Sequence, residues 1–441
     1  MPLAHARLKW MNVFLLLFFC CRQSPPNPMA HIHIIGSGLA GLAAAVALGC
    51  AGHTATLYES GPAAGGRCRS YFDRELGARI DNGNHLLLSG NRAARDYLAT
   101  IGAADTMTGP ATPRFPFIDL ATGQRWTVAP NMGRIPWWVL LPSRSVPGAR
   151  LSDFAALVRL RFARGEQTVG ETLAGAGTLY RRLLEPLAIA ALNTMPDVAL
   201  AHLLAAVVNE TLAQGGAACR PLLPREGLSE SFVDPALSWL AARGGVLHPG
   251  RRVTGLRIDG GAVRALLTTD GPATVAPGEA VVLAVPPWVA PTLLPGLVAP
   301  DAFEAIVNVH FRATAAPGFI GLVGGLAEWV FTKPGIVATT TSAANRVVDL
   351  PAEDLAARSW ADTARALDLP GPIPPWRVVK EKRATFAATA AQEARRPGAR
   401  TALSNLVLAG DWTATGLPAT IEGAIRSGNT AAALLQAGSL R

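Results

Sequence analysis

The chain has 441 residues, which is enough for two or three domains of average size. Half of the residues are apolar, which excludes a disordered chain and allows a large hydrophobic core. The net charge of +9 comes without a basic run that contains interleaved aromatic residues, so we expect no nucleic-acid partner. The five cysteines form no C-x-x-C pair; we predict a reducing compartment, no disulfide framework and no metal site.

We interpret the first 28 residues as an extension that precedes the domains. The apolar run Met11–Cys21 resembles the core of a signal peptide, but it is too short to cross a bilayer as a helix. Prolines follow it, and Met29 then leads directly into the first predicted strand. We therefore expect residues 1–28 to be a mis-assigned upstream start or a signal-like tail, and we favour a start at Met29.

A dinucleotide-binding motif follows the first strand. The strand formers His31–Ile35 precede a helical run, Leu42–Leu48. Between them lie the three glycines of a G-x-G-x-x-G motif, Gly36, Gly38 and Gly41. The first permits a tight turn, the second lets the backbone approach a pyrophosphate, and the third allows close packing of the helix on the strand. The N–H groups at the helix start predict a phosphate site.

The next strand and turn distinguish between the common dinucleotides. The predicted strand Ala55–Tyr58 ends at Glu59, where a carboxylate can accept hydrogen bonds from ribose hydroxyls. The residues Gly65, Gly66 and Arg67 follow closely, and they resemble the G-G-R extension of the FAD-dependent amine oxidase and carotenoid desaturase superfamily. In that superfamily these residues continue the pyrophosphate site, so the resemblance implies FAD as the cofactor.

A second motif with the same implication lies near the C-terminus. A predicted buried strand from Asn405 ends in Gly410 and Asp411, and after a turn the sequence Thr420–Glu422 opens a helix. In the resembled superfamily the aspartate meets the ribityl–phosphate region of the flavin, and the helix start faces its pyrimidine edge. A helix N-terminus stabilises the negative charge of a reduced flavin.

Further stretches narrow the resemblance to one family. The sequences Arg67–Asp73, Ile80–Asn91 and Thr415–Glu422 resemble the squalene-associated FAD-dependent desaturases, which are the hydroxysqualene dehydroxylases of bacterial hopanoid biosynthesis. The similarity runs from Met29 to the C-terminus and also includes Ala190–Thr194, Val307–Phe311 and Glu381–Phe386. It implies an enzyme that reductively removes the allylic hydroxyl of hydroxysqualene and yields squalene.

The resemblance also implies site residues. The Asn82–His85 turn is expected beside the flavin, where His85 is the candidate proton donor, although the turn residues also suit a purely structural role. Val253 is expected to pack by the adenine. The predicted cofactor-binding residues are Gly36, Gly38, Leu39, Ala40, Gly41, Glu59, Gly65, Gly66, Arg67, Asn82, Gly83, Asn84, Val253, Gly410, Asp411, Thr420, Ile421 and Glu422.

We expect an α/β fold with two discontinuous domains. Residues 29–100, 221–290 and 401–441 would form a Rossmann-like FAD-binding domain. Residues 101–220, which we predict to be mostly helical, and residues 291–400 would form a mixed α+β substrate-binding domain.

A long apolar isoprenoid substrate predicts a cytoplasmic protein with peripheral contact to the inner face of the membrane. The apolar, aromatic stretch Ile135–Pro142 is a candidate for that contact, for the lining of a substrate entry, or for ordinary core packing. The motifs define neither the electron donor nor the oligomeric state.

Three alternatives remain at this point. An amine oxidase often has a tyrosine of an aromatic cage two residues before the glutamate of the C-terminal motif, where this chain has Thr420. A carotenoid-type desaturase also acts on a long polyene, and the motifs do not define the direction of the redox reaction. A flavin-free lipid-escort protein is disfavoured by the retained Gly65, Gly66, Arg67, Gly410 and Asp411.

Overall fold

The computed structural model describes residues 29–439, so the expectations for residues 1–28 lie outside the described part of the chain. The strands are β1 His31–Ile35, β2 Thr54–Tyr58, β3 Ser70–Asp73, β4 Ala78–Asp81, β5 Leu87–Leu88, β6 Met107–Thr108, β7 Phe115–Asp119, β8 Arg125–Val128, β9 Pro221–Pro224, β10 Val246–His248, β11 Val253–Asp259, β12 Ala262–Thr268, β13 Gly271–Thr274, β14 Ala280–Leu283, β15 Phe303–Phe311, β16 Gly318–Val323, β17 Trp329–Lys333, β18 Ile336–Thr341, β19 Trp376–Phe386 and β20 Leu406–Leu408. The α-helices are α1 Leu39–Cys50, α2 Arg92–Thr100, α3 Ala155–Arg161, α4 Val169–Thr172, α5 Gly177–Leu179, α6 Glu185–Leu192, α7 Ala201–Glu210, α8 Asp234–Ala241, α9 Ala290–Leu293, α10 Ala352–Leu367, α11 Ala390–Glu393 and α12 Ile421–Leu434.

A five-stranded parallel sheet forms the centre of the nucleotide-binding half, in the order β10-β2-β1-β14-β20. Its inner strands are almost entirely buried, and β14 is a continuous apolar run, as expected for strands that are covered on both faces. The chain leaves β1 towards β2 on one side, while β14 lies on the other side. A crevice for a dinucleotide forms at such a reversal of strand order, beyond the carboxyl ends of the strands.

Helices cover one face of this sheet, and a three-stranded antiparallel sheet, β11-β12-β13, belongs to the apolar cluster on the other. The helical layer contains α1 and α12, which come from opposite ends of the chain and pack on each other. Trp412 is fully buried on the opposite side, and its indole N–H donates to the Val285 carbonyl at 2.9 Å. The predicted α/β class is confirmed.

The second half is built on a seven-stranded mixed sheet in the order β19-β15-β18-β17-β16-β7-β8. Residues 115–128 supply the last two strands, and β7 pairs in parallel with β16. The prediction of a mostly helical 101–220 region is therefore wrong for this stretch, because a partner some 200 residues away pairs with β7. The rest of the region folds mainly as short helices around one apolar cluster. The domain boundaries remain predictions.

Among the helices of residues 29–439, none is long and apolar enough to span a membrane.

Gly428 allows α12 to contact α1 closely, because glycine has no side chain at this position. A Cβ atom at Gly428 would lie 2.3 Å from the Ala40 carbonyl oxygen and 2.8 Å from the Ala44 nitrogen. Both are backbone atoms of α1, so neither can rotate away as a flexible side chain can.

We predict that Gly428→Ala lowers the free energy of unfolding by about 1–3 kcal/mol, as overpacking of a core does. It should also lower the amount of FAD retained on purification, because Ala40 lies at the phosphate turn. Urea denaturation and the flavin absorbance measure the two effects. Gly398→Ala is the matched control, since Gly398 is exposed and a Cβ there meets no atom within 4 Å. Equal stability of the two variants would contradict the prediction.

Candidate functional site

Two glycines of the G-x-G-x-x-G motif, one in the turn after β1 and one in the first turn of α1, are required by sterics. A Cβ atom on Gly41 would lie 2.1 Å from the Gly36 carbonyl oxygen, and one on Gly36 would lie 2.5 Å from the Ala284 oxygen. Gly36 also has φ = +102°, which side chains of L-residues rarely allow. The turn therefore holds the start of α1 tightly against the sheet.

The third glycine faces open space. A Cβ on Gly38 would meet nothing within 4 Å, and the N–H groups of Leu39 and Ala40 donate no hydrogen bond within residues 29–439. Gly65, at φ = +102°, donates to the Ser37 carbonyl at 2.9 Å, which brings the second glycine pair against this turn. Unpaired N–H groups at a helix start favour an anion, so the cradle fits a pyrophosphate.

Glu59 lies beside this cradle at the end of β2. Its carboxylate accepts hydrogen bonds from Ser37 N at 3.1 Å, from Ser37 Oγ at 2.6 Å and from Gly61 N at 2.8 Å. A carboxylate held there is suited to ribose hydroxyls, and its cofactor contact remains a prediction. Val253 is buried in the same apolar cluster as Tyr58 and Ile35, and its contact with the adenine remains a prediction too.

An ion pair joins the two predicted FAD motifs across 344 residues of sequence. Arg67 Nη2 donates to both carboxylate oxygens of Asp411 at 2.8 Å, and Arg67 Nη1 donates to the Ala384 carbonyl at 2.5 Å. The Asp411 side chain is only 8% exposed, so the guanidinium compensates an otherwise buried charge. The phosphate region, the turn after β20 and strand β19 are thereby held together.

Arg396 was not identified from the sequence, yet it organises the turn that contains Asp411. Its guanidinium is fully buried and donates to the carbonyl oxygens of Asp411 at 3.2 Å and of Thr413 at 2.5 Å. It also donates to Thr415 Oγ1 at 2.8 Å and pairs with Glu393 at 2.7 Å. No local pattern marks it, because an arginine after a short surface helix usually faces solvent.

The start of α12 offers a second set of helix N–H groups. Thr420 caps the helix, since its Oγ1 accepts from Gly423 N at 3.0 Å, while Ile421 N and Glu422 N donate no hydrogen bond within the described residues. The Glu422 carboxylate points elsewhere: it accepts from Ala94 N at 2.9 Å at the start of α2. A cofactor contact of Glu422 would therefore be made by its backbone N–H group and not by its carboxylate.

The predicted Asn82–His85 turn lies where the two halves meet. Asn84 Nδ2 donates to Thr340 Oγ1 at 3.1 Å and to Asn308 Oδ1 at 3.3 Å, on neighbouring strands of the seven-stranded sheet. Asn82 Nδ2 donates to Glu381 Oε2 at 3.3 Å. Strand alternation separates Glu381 from its neighbours, because Lys380 and Lys382 instead bond to the 349–350 region.

His85 lies in this turn as a neutral side chain. Burial lowers its pKa, so the imidazole is mainly unprotonated at pH 7. Its Nδ1 lies 3.0 Å from the Gly83 carbonyl, and a carbonyl can only accept, so Nδ1 carries the proton. The geometry favours a structural role in the turn over the role of proton donor.

Asp81, immediately before this turn, is a buried carboxylate with three partners. It accepts from Ser70 Oγ at 2.6 Å, from Leu228 N at 2.8 Å and from Lys333 Nζ. Burial alone would raise the pKa of Asp81, but the charge of Lys333 and these hydrogen bonds outweigh it and hold the pKa below its ordinary value. Lys333, at the end of β17, was not identified from the sequence.

Comparison with known proteins places the chain among flavin-dependent oxidoreductases. Residues 39–319 and 331–436 match the family described as flavin containing amine oxidoreductase. Hydroxysqualene dehydroxylase from Sinorhizobium fredii is 47% identical over 92% of this chain and 98% of its own length. The enzyme of that name from Rhodopseudomonas palustris is 48% identical over the same shares.

Solved structures support the fold independently. Cyclohexylamine oxidase from Brevibacterium oxydans superposes with a TM-score of 0.66 at 17% identity, over 94% of this chain and all of the other. An oxidoreductase from Methanosarcina mazei superposes with a TM-score of 0.68 at 16% identity, over 91% and 99%.

The pair of Asp81 and Lys333 gives a pH-dependent prediction. We expect Lys333→Met to lower the free energy of unfolding by on the order of 3 kcal/mol at pH 7, because it leaves a buried carboxylate without its cation. A carboxyl with a depressed pKa stabilises the fold above its ordinary pKa of about 4 and loses that effect as the pH falls. The difference between variant and wild type should therefore shrink below pH 4.

Urea denaturation at pH 7 and at several values down to about pH 2.5 measures this difference, because the change is expected below pH 4. Lys382→Met is the control, because Lys382 pairs with Asp349 where both side chains are mostly exposed, and such pairs contribute little. A loss that is the same at every pH, or equal in the two variants, would refute the proposed role of Lys333.

Proposed function

Because the chain belongs to the flavin containing amine oxidoreductase family and, within it, to the hydroxysqualene dehydroxylases, we propose that it binds FAD and converts hydroxysqualene to squalene. The observation that carries this proposal is the extent of the similarity. The dehydroxylases match 92% of the chain, including the seven-stranded sheet, whereas L-amino-acid oxidase from Bungarus fasciatus matches only 17%. The similarity therefore extends beyond the nucleotide motifs into the half that would bind substrate.

The reaction defines what the protein has to supply. The allylic C–O bond breaks, the hydroxyl oxygen takes up one proton and leaves as water, and a hydride forms the new C–H bond. Bound, reduced FAD supplies the two electrons and the hydrogen. The protein must hold a long apolar chain against the flavin, keep water from the cationic carbon and direct a proton to the leaving oxygen.

The chain's own residues fit the binding part of this task. The N–H groups of Leu39 and Ala40 would hold the pyrophosphate, and Glu59 the ribose. Arg67 keeps Asp411 oriented at the centre of the cofactor site. The start of α12 would place the positive end of a helix towards the negative charge of the reduced flavin.

An amine oxidase is the less favoured assignment. Thr420, at the position where that branch often has a cage tyrosine, is the N-cap of α12. All four tyrosines of the chain lie before residue 181.

The apolar character of the proposed substrate favours a reaction close to a membrane. A C30 hydrocarbon alcohol dissolves in the bilayer rather than in water, so the enzyme has to take it from there. We accordingly propose a cytoplasmic protein in peripheral contact with the inner face of the membrane.

Anaerobic turnover tests the reaction directly. The purified chain with its FAD is reduced with dithionite, and hydroxysqualene is added in detergent. We expect squalene to form, with one flavin reoxidised per squalene, because the substrate takes up two electrons. The oxidised enzyme is the control and should give none. If the flavin stays reduced and no squalene forms, the assignment fails, and polyenes with the oxidised enzyme become the next trial.

His85→Asn tests the proton donor. An asparagine can donate to the Gly83 carbonyl as Nδ1 of His85 does, but it cannot act as an acid. We expect turnover within about threefold of wild type and full flavin content, whereas loss of a general acid costs about 10²–10⁴-fold. A loss of that size, at full flavin content, would establish His85 as the donor.

A further inference from the structure

Residues 132–164 form a surface on which positive charge and exposed apolar side chains coincide. These 33 residues contain six arginines and one acid, so they supply five of the nine net charges of the whole chain. They also contain eight of the seventeen large apolar side chains that are exposed in residues 29–439. We call this region the 132–164 surface; its exposed apolar members are Met132, Ile135, Trp137, Leu140, Leu141, Leu151, Val158 and Phe162.

The arginines of the 132–164 surface have no carboxylate partner. None of the six forms an ion pair with a residue in the described part of the chain, in contrast to Arg67, Arg182 and Arg426 elsewhere. The single acid, Asp153, is buried and accepts from a backbone N–H. The positive charge is therefore available to an external anion.

Buried neighbours anchor this surface in the helical core, while its other apolar side chains are exposed to solvent. Trp138 and Leu160 are buried in the helical core, and Trp138 contacts Phe154 edge-to-face at 5.7 Å, which ties the two parts of the surface to each other. Leu151, Val158 and Phe162 are spaced by seven and four residues, so they share one face of the helical run.

The tip of the surface is concave and amphipathic. Ile135 is 78% exposed, and the Arg144 guanidinium lies 5.0 Å from the centre of the Trp137 ring. A mainly apolar cleft of 610 Å³ is lined by Ile135, Trp137 and Arg144. Tryptophan and arginine side by side are typical of the interface between headgroups and acyl chains.

We propose that the 132–164 surface docks on a bilayer that contains anionic phospholipids. The arginines bind the headgroup phosphates, and the apolar side chains enter the acyl region. A second copy of the chain is disfavoured as the partner, because it would bring two sets of six arginines together. A nucleic acid is disfavoured because it would leave the apolar side chains exposed to water. The inference rests on the proposed function and deepens it: it names the surface that makes the membrane contact and the anionic lipids that this surface binds.

Vesicle flotation of the full chain without substrate tests the proposal. We expect binding to phosphatidylcholine vesicles that contain phosphatidylglycerol, weaker binding to phosphatidylcholine alone, and release by salt. Arg161→Gln with Arg164→Gln should weaken binding by about thirtyfold, since each basic residue at an anionic surface contributes about fivefold. Leu140→Ser with Phe162→Ser should also weaken it.

Matched controls lie on exposed positions elsewhere. Arg252→Gln with Arg257→Gln, and Val246→Ser with Ile258→Ser, should bind as wild type does. The side chains of Arg161 and Arg164 form no hydrogen bond with a described residue, so their replacement should leave flavin content unchanged.

Binding that is unaffected by the variants, or equally weakened by the controls, would overturn the proposal. So would gel filtration showing a dimer that the Leu140→Ser and Phe162→Ser variant dissociates. Squalene formation in detergent is measured on every variant. Normal turnover without vesicle binding refutes only the docking surface, whereas vesicle binding without turnover refutes only the dehydroxylase assignment.

Discussion

The contact between Arg67 and Asp411 is the interaction on which the site depends. It holds the second glycine turn against the segment that follows β20, although these parts are 344 residues apart in sequence. Asp411 is almost entirely buried, and an unpaired carboxylate there would cost several kcal/mol. Arg396 fixes the same turn through the carbonyl oxygens of Asp411 and Thr413. The arrangement of the predicted cofactor-binding residues thus depends on long-range charge compensation as much as on the glycines.

Charge compensation also distinguishes the interior of the protein from the 132–164 surface. Buried charges inside the fold have partners: Asp81 has Lys333, and Glu422 has the start of α2 and Arg426. On the 132–164 surface the arginines lack carboxylates, and no core residue requires their charge. Where a protein leaves so many like charges uncompensated, the compensating charge is supplied by something outside the chain.

The sequence predicts those features that short-range rules determine. The spacing of Gly36, Gly38 and Gly41 between a strand and a helix predicts the phosphate turn, and the steric contacts of Gly36 and Gly41 follow from it. Sequence reasoning did not identify Lys333, Arg396 or the pairing of β7 with β16. Lys333 and β7 each depend on a partner 200 or more residues away, and Arg396 depends on a turn whose shape only the fold defines. The roles of Glu422 and His85 came from resemblance, and the structure gives both side chains local hydrogen-bonding tasks.

The position of α12 at the C-terminal end of the chain has a consequence for biosynthesis. Nine of the twelve residues of α1 are buried, and α12 covers much of that helix. At translation rates of about 5–20 residues per second, α1 leaves the ribosome on the order of tens of seconds before its partner exists. During that interval an apolar helix and an incomplete sheet stand exposed on the nascent chain. The length of chain between the two helices therefore sets how long α1 lacks its partner during synthesis.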